Sequence, residues 1–325
     1  MVQSAILPRE PSIATPCQAR RVGGNIASNP GVSQTEDWYI LDMNEKTITF
    51  NGLNLPHILY GTAWKENETG RLTELALDQG FRGIDTANQR KHYHEAAVGQ
   101  AISAVIDRGL VPRDDLFLQT KFTFRRGQDA RLPYDPNAAI AVQVEQSFDR
   151  SLHHLQTERI DSYLLHGPTQ SVGLTTDDWH AWQAMESIHA SGRVGILGVS
   201  NFTLAQLQLL RDNSTVRPSV VQNRCYAIRA WDRDIREFCD ANDMLYQGFS
   251  LLTANQNALA RPEFTRIAQR HNRTVQQIAF RFAIDVGMLP LTGTSSPEHM
   301  EADLSVLDFR LDVAEVSRIE QLARQ

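Results

Sequence analysis

Four residues that can hold or move a proton stand at the ends of short apolar runs or in the loop beyond one of them. Asp85 closes the run Phe81–Ile84, and Tyr93 lies beyond it in a polar loop. Lys121 ends the run LFLQTK, and His166 follows the run YLL. A phenol has an unperturbed pKa near ~10 and releases its proton poorly near neutrality. Because a nearby ammonium lowers that pKa and a carboxylate would hold the ammonium in place, the set predicts a proton-delivery site with Tyr93 as donor.

Each of these residues also has a purely structural interpretation. Asp85 can cap a helix and Tyr93 can be an ordinary surface residue. Lys121 can extend its stem along apolar surface, and His166 can be a hydrogen-bonded core histidine. Only four of the 32 basic residues are Lys, so a Lys at the end of a buried strand indicates a need for a compact ammonium. Histidine is a rival proton donor to the phenol, because His92, His94 and His166 have an unperturbed pKa closer to neutrality.

Other catalytic chemistries receive no support from the pattern. His92 and His94 flank Tyr93, but no third ligand stands at a spacing usual for zinc or iron, so no metal is expected. The sequence also has no Gly-x-Ser-x-Gly segment, which argues against a serine hydrolase.

Parallel strands are the elements that would bring these side chains to one place. From residue 57 onward, short apolar runs alternate with amphipathic stretches, which is typical of parallel strands joined by crossover helices. Eight such runs predict an α/β fold, a closed (β/α)8 TIM barrel with its site at the C-terminal strand ends. The predicted strands are Ile58–Thr62, Phe81–Ile84, Leu116–Thr120, Ser162–Leu165, Gly195–Val199, Ser219–Val221, Leu245–Gly248 and Met288–Leu291.

The helices between these strands have recognisable starts. Helical periodicity fills the intervals from Glu66–Gln79 to Val313–Arg324, including a helix predicted over Pro136–Leu155. N-cap and first-turn signals stand at Asp135-Pro136, Ser296-Pro297 and Asp312.

The chain divides into an N-terminal extension and one barrel domain. Residues 1–37 are predicted to be flexible or wrapped on the surface, because Pro, Gly, Ser and Asn interrupt any periodicity there. Residues 38–325 form the predicted barrel domain. Within it, Lys46–Phe50 alternates in polarity, Asn51-Gly52 is a strong turn signal and Leu53–Pro56 returns, which predicts a small β-hairpin ahead of the barrel.

Composition narrows the possible partners and the compartment. The formal net charge is −6 and no basic run is long enough to follow a phosphate backbone, so nucleic-acid binding is not expected. No apolar stretch reaches the ~18 residues of a membrane span. The three cysteines, Cys17, Cys225 and Cys239, are an odd set without close pairing, which indicates a reducing compartment. We therefore predict a cytoplasmic protein without a membrane partner.

The motifs that carry these residues resemble those of the aldo-keto reductases, from about Thr47 to Gln325. The resemblance rests on stretches in the order that the family has them, namely NGLNLP, GTAWK, GFRGIDTA, the strand ending in TK, DSYLLHGP, GVSNF, VVQN, HNRTVQQIAFRF and TGTSSPEHM. It implies a barrel that binds a nicotinamide dinucleotide without a Rossmann fold. By resemblance, the family's four catalytic residues correspond to Asp85, Tyr93, Lys121 and His166.

The resemblance also implies where the cofactor and the substrate bind. Ser200, Asn201 and Gln222 match residues that hold the nicotinamide carboxamide, and Phe249 matches an aromatic residue that stacks on the ring. Ser250 and Leu252 match the loop on the pyrophosphate. The remaining expected cofactor contacts are Thr62, Thr294, His299 and Asp303, and the expected pocket residues are Trp64 and Gly167.

Several positions depart from the family pattern. Gly167 stands where many members have Trp, which would widen the pocket, and the loop before Tyr93 is longer than usual. Gly293-Thr294 replaces the usual Lys-Ser of the adenosine-phosphate site, His299 replaces Arg and Asp303 replaces Asn. A 2′-phosphate would lose two cations there, so NADP(H) is the expected cofactor with NAD(H) as a real alternative.

These features together predict reduction of an aldehyde or ketone, with the hydride from the nicotinamide and the proton from Tyr93. The expected partner is a small carbonyl compound, and the expected state is a monomer or a weak dimer. An alternative is a regulatory or binding barrel that holds the cofactor with little turnover. The presence of all four proton-delivery residues argues against that alternative.

Overall fold

A hairpin opens the described part of the chain, which in this computed structural model covers residues 47–322. Strands β1 (Thr47–Phe50) and β2 (Leu53–Pro56) pair antiparallel, with Phe50 opposite Leu53. Asn51 and Gly52 connect them with φ of 48° and 77°, the left-handed values of a tight hairpin turn. The predicted hairpin is thus confirmed, while the predicted extension over residues 1–37 lies outside the described residues.

Eight parallel strands close into a barrel, as the alternation of apolar and helical stretches predicted. The order around the ring is β10-β3-β4-β5-β6-β7-β8-β9, so the first and last barrel strands pair. The strands are β3 (Leu59–Gly61), β4 (Gly83–Asp85), β5 (Phe117–Phe122), β6 (Ile160–Leu165), β7 (Val194–Ser200), β8 (Val220–Arg224), β9 (Leu245–Phe249) and β10 (Met288–Thr292). All eight predicted strands are confirmed.

Helices surround the barrel and alternate with its strands. They are α1 (Thr69–Gln79), α2 (Glu95–Asp107), α3 (Ile140–Leu155), α4 (Thr176–Ala190), α5 (Leu204–Asn213), α6 (Arg233–Asp240), α7 (Gln256–Leu259), α8 (Pro262–His271), α9 (Val275–Asp285), α10 (Pro297–Leu304) and α11 (Val313–Leu322). The signal at Asp135-Pro136 was wrong as a helix start. The Asp135 carboxylate accepts the N–H of Asn137 at 2.9 Å in a local turn, and the helix begins only at Ile140.

The hairpin closes the N-terminal end of the barrel. Phe50 and Leu53 pack against an apolar cluster at that end of the barrel interior. The side chain of Leu53 also lies beside Gly195 and that of Pro56 beside Gly83, near the beginnings of β7 and β4. This packing leaves the opposite, C-terminal rim for polar chemistry.

Candidate active site

A buried ion pair joins the C-terminal ends of two neighbouring strands. Lys121 of β5 is fully buried, and its Nζ donates to both oxygens of Asp85 at 2.7 Å and to the carbonyl of Thr86 at 2.8 Å. Burial lowers the pKa of Lys121, whereas the charge and hydrogen bonds of Asp85 raise it. Burial is the larger effect, so the pKa of Lys121 lies below its usual value and the carboxylate offsets part of the cost of burying the ammonium.

Side-chain amides inside the barrel support the carboxylate from below. Asp85 Oδ1 also accepts hydrogen bonds from Gln119 Nε2 at 2.7 Å and Gln222 Nε2 at 2.9 Å. Gln247 Oε1 accepts from both amides, at 2.8 and 2.9 Å, and Ser162 donates to Gln119 Oε1 at 2.8 Å. All these side chains are buried. The network fixes the position of Asp85 with neutral donors.

Tyr93 lies beside this pair. Lys121 Nζ is 5.3 Å from the centroid of the Tyr93 ring, and the ring meets that of His166 edge-on at 5.9 Å and 69°. Within residues 47–322 the Tyr93 hydroxyl makes no hydrogen bond, so it is available to a ligand. Burial, and next the charge of Asp85, raise the pKa of this phenol above its usual range, in contrast to the lowering expected from Lys121.

His166 is held by its backbone and by one ring nitrogen. Its N–H donates to Phe122 O at 2.9 Å, and its carbonyl accepts from Asn201 Nδ2 at 2.8 Å. His166 Nδ1 lies 2.7 Å from Thr123 Oγ1. Burial, with smaller effects of Lys121 and His92, lowers the pKa of His166 to about 3. The imidazole is therefore neutral at physiological pH, which removes its imidazolium as a rival proton donor.

The two predicted pocket residues occupy different parts of the rim. Trp64 is 69% exposed, and its ring stacks on His92 with centroids 3.8 Å apart. Burial is the main cause that lowers the pKa of both His92 and His94, so neither is favoured as a charged acid. At Gly167 a side chain would begin 3.7 Å from the Cβ of Asn201. The glycine thus leaves space between His166 and β7.

The predicted nicotinamide contacts lie on adjacent strands. Ser200 and Gln222 are register partners on β7 and β8, and Asn201 follows Ser200 with φ of 59°. Asn201 Nδ2 donates to Ser200 Oγ at 3.0 Å. Thr62 is buried and donates to the backbone carbonyl of Asp85 at 3.0 Å, while Phe249 ends β9. The structure therefore brings these five predicted residues to the same rim as the ion pair.

The predicted phosphate contacts lie further along this rim, after β9 and around α10. Ser250 has φ of 58° and precedes Leu252 by two residues, and Thr294 and His299 flank the start of α10. Asp303 is buried and accepts from Thr292 Oγ1 at 2.6 Å. Burial raises the pKa of Asp303 to about 6, against smaller lowering effects of Thr292 and His299.

Lys65 is a cation of this region that the site prediction missed. Its side chain is buried, and Nζ donates to Gly293 O at 2.6 Å. The ammonium lies 3.8 Å from where a Cβ would stand at Gly293, the position at which the family usually has Lys. Burial lowers the pKa of Lys65 to about 8. The scarcity of Lys in the sequence was the signal that should have marked it.

Two other properties bear on the kind of site. Across residues 47–322, no cluster of three or more His, Cys, Asp or Glu side chains is placed to hold a metal ion. No helix in the same part of the chain combines the length and the apolar character needed to cross a membrane.

A closed parallel barrel with an ammonium–carboxylate pair, a phenol and a neutral imidazole on its C-terminal rim has the arrangement of a carbonyl-reducing oxidoreductase. Sequence comparison identifies the family within this class. A model of the Aldo/keto reductase family matches residues 52–324, and the chain belongs to that family.

Known proteins similar to this chain agree with that placement. An uncharacterized oxidoreductase of Schizosaccharomyces pombe is 32% identical over 281 residues, covering 86% of this chain and 89% of the relative. The glyoxal reductase of Bacillus subtilis is 26% identical over 274 residues, covering 84% and 90%. Among solved structures, an aldo-keto reductase complexed with NADPH superimposes with a TM-score of 0.72 at 25% identity, covering 85% of this chain and 87% of that one.

Proposed function

We propose that this protein reduces an aldehyde or ketone to an alcohol with a nicotinamide dinucleotide, and that Tyr93 donates the proton. The observation that carries the proposal is the Tyr93 hydroxyl, unengaged among the described residues, on a ring 5.3 Å from the ammonium of Lys121. Membership of the Aldo/keto reductase family supports the same reaction class.

The residues present fit a dinucleotide of the NADP(H) type, with NAD(H) as the alternative. Gln222 uses its Nε2 for Asp85 and Gln247, while its Oε1 makes no hydrogen bond among residues 47–322 and can accept from a carboxamide. Ser200 and Asn201 flank that acceptor, and Thr62 and Phe249 complete the nicotinamide end. At the other end the proposed contacts are Ser250, Leu252, Thr294, His299 and Asp303, with the ammonium of Lys65 beside Gly293.

When bound, the cofactor supplies the hydride that reduces the carbonyl carbon. The raised pKa of Tyr93 keeps the phenol protonated until negative charge develops on the substrate oxygen. An alkoxide is a stronger base than a phenolate, so the proton moves downhill from the Tyr93 hydroxyl to that oxygen. The ammonium of Lys121 stabilises the phenolate that remains, and Asp85 holds the ammonium in place. His166 orients the carbonyl oxygen through its free ring nitrogen.

The remaining expectations extend this proposal to the whole chain. We expect a cytoplasmic monomer or weak dimer acting on small carbonyl compounds, with no nucleic-acid partner. The buried, unpaired thiols of Cys225 and Cys239 and the net charge of −6 support these expectations. We also propose that the barrel domain covers residues 38–325 and that residues 1–37 form an extension before it.

The test is consumption of NADPH with a generic aromatic aldehyde by the wild-type chain and by Tyr93→Phe. We expect the substitution to lower kcat by about 10²-fold to 10⁴-fold, the usual contribution of a positioned acid, with cofactor affinity nearly unchanged. Tyr226→Phe is the matched control, because the Tyr226 hydroxyl makes no hydrogen bond within residues 47–322.

Two outcomes would contradict the proposal. Retention of more than about a tenth of wild-type kcat by Tyr93→Phe, with chemistry rate-limiting, would remove Tyr93 as the acid. Binding of NADPH by the wild type without consumption of any aldehyde or ketone would instead indicate the regulatory or binding barrel.

A further inference from the structure

Thr123 contacts the side chain of His166 and has no role in the mechanism proposed above. It follows the last residue of β5 and is 6% exposed. Its Oγ1 lies 2.7 Å from His166 Nδ1, and this is the hydroxyl's one hydrogen bond among residues 47–322. No hydrogen bond within the same residues involves His166 Nε2, which therefore remains for a ligand.

Three neighbours fix the orientation of Thr123. Its backbone carbonyl accepts from Tyr134 OH at 2.8 Å and from Gln128 Nε2 at 3.3 Å. Its methyl group packs over Gly127, where an added Cβ would come within 2.7 Å of Thr123 Cγ2. A β-branched side chain has few χ1 rotamers, so a methyl group confined by Gly127 directs the hydroxyl toward His166.

The direction of the hydrogen bond follows from counting protons. His166 is neutral, because burial lowers its pKa to about 3, and a neutral imidazole carries a single N–H. If that proton were on Nδ1 and pointed at Thr123, the buried hydroxyl proton would have no acceptor among the described residues. A buried donor without an acceptor costs free energy. If the hydroxyl donates to Nδ1 instead, both groups are satisfied and the ring proton is on Nε2.

We propose that Thr123 is a positioning residue that donates to His166 Nδ1 and thereby keeps the Nε2–H tautomer facing the cleft. This inference rests on the proposed carbonyl reduction. His166 then presents a donor to the carbonyl oxygen and has no lone pair there to accept the phenol's proton. The hydrogen bond to the oxygen becomes stronger as negative charge develops, so Thr123 acts on kcat through His166.

The tautomer itself can be observed without any turnover. Long-range ¹H–¹⁵N NMR spectra of the ¹⁵N-histidine-labelled full chain distinguish protonated from unprotonated ring nitrogens, and His166→Asn identifies the signals that belong to His166. We expect a protonated Nε2 and an unprotonated Nδ1 in the wild type, and a shifted Nδ1 signal in Thr123→Val. A protonated Nδ1 in the wild type, or unchanged ring signals in Thr123→Val, would overturn the proposal even if the enzyme reduces aldehydes as proposed.

Kinetics supply the second test. Valine keeps the shape of Thr123 but lacks the hydroxyl, so Thr123→Val should lower kcat for an aromatic aldehyde by about 3-fold to 10-fold, the effect of one net hydrogen bond. Thr123→Ser keeps the hydroxyl and should recover most of this loss. The matched control is Thr73→Val, which removes the buried hydroxyl that donates to Thr69 O on α1 and should leave kcat unchanged.

Wild-type kcat in Thr123→Val, or an equal loss in Thr123→Ser, would show that the hydroxyl does not act on the reaction. If Thr123→Val does not fold, the serine variant and the wild-type tautomer still decide the question. Absence of aldehyde reduction by the wild type would contradict the proposed function and leave the tautomer test intact.

Discussion

The two ends of the proposed cofactor cleft are built differently. At the catalytic end, the buried ammonium of Lys121 makes three hydrogen bonds, and Asp85 also accepts from two buried amides. At the phosphate end, the ammonium of Lys65 meets a backbone carbonyl, His299 is exposed, and Asp303 is a buried carboxyl satisfied by a threonine hydroxyl. The first end holds charges in fixed positions, whereas the second tolerates an acid of raised pKa. Proton transfer requires charges in fixed positions, whereas the binding of a phosphate tolerates a buried acid of raised pKa.

Removal of the positive charge at the catalytic end should have the largest effect on activity. Lys121→Met should lower kcat by about 10²-fold to 10⁴-fold, because the phenolate left by Tyr93 would lose its nearby ammonium. The measurement is steady-state kinetics, made on a variant whose cooperative thermal unfolding shows that it is folded. Lys91→Met, at an exposed lysine, is the control. Activity above about a tenth of wild type would mean that the buried pair only stabilises the fold.

The phosphate end can be tested through stability. The pKa of Asp303 is about 6 in the fold against 3.8 for the unperturbed group, so the folded state binds more protons between these values. The free energy of unfolding should therefore fall as pH rises from 4 to about 6 and stay lower above it. Asp303→Asn removes this loss, so its free energy of unfolding should exceed that of the wild type by on the order of 3 kcal/mol at pH 7.5, with the difference vanishing near pH 4.

Urea unfolding across this pH range measures the effect. Asp308→Asn, at an exposed aspartate nearby, serves as the control and should leave the pH dependence unchanged. The same pH dependence in Asp303→Asn as in the wild type would show that burial does not raise the pKa of this carboxyl.

The smallest expected effect concerns the choice of cofactor. Because Gly293 and His299 replace usual cations, the wild type should discriminate weakly between NADPH and NADH in kcat/KM. His299→Arg should raise the preference for NADPH about tenfold, since one charge-assisted hydrogen bond contributes about 1.5 kcal/mol. His299→Gln adds no charge and should not. A wild-type preference for NADPH above about a thousandfold would show that other cations, such as Lys65, bind the 2′-phosphate in place of the usual ones.

Sequence reasoning succeeded where one residue and its neighbours along the chain decide the structure. The strand ends at Asp85, Lys121 and His166 could be placed because apolar runs and helical periodicity count the strands of a barrel. It failed where the structure depends on residues that meet across the barrel. Gln119 and Gln247 are 128 positions apart, and nothing local to either indicates that they meet under Asp85.

The pKa of Tyr93 shows the same limit of prediction from sequence. The proximity of Lys121 to Tyr93 could be inferred, and it suggested a lowered phenol pKa. Burial raises that pKa instead, and the degree of burial depends on every element packed around the ring. The helix that begins at Ile140 rather than Pro136 is a local failure, in which a turn at Asp135 satisfied the same signal.

The phosphate end also lies where the barrel closes, and this has a consequence for folding. Strand β10 pairs with β3, and across that pairing Lys65 donates to Gly293 O from a position 228 residues away along the chain. Contacts between such distant segments carry a large loop-closure entropy and tend to form late. A dinucleotide bound there would tie the first and last barrel strands together and favour the folded state by mass action. The cofactor would then stabilise the pairing that joins the two ends of the barrel segment.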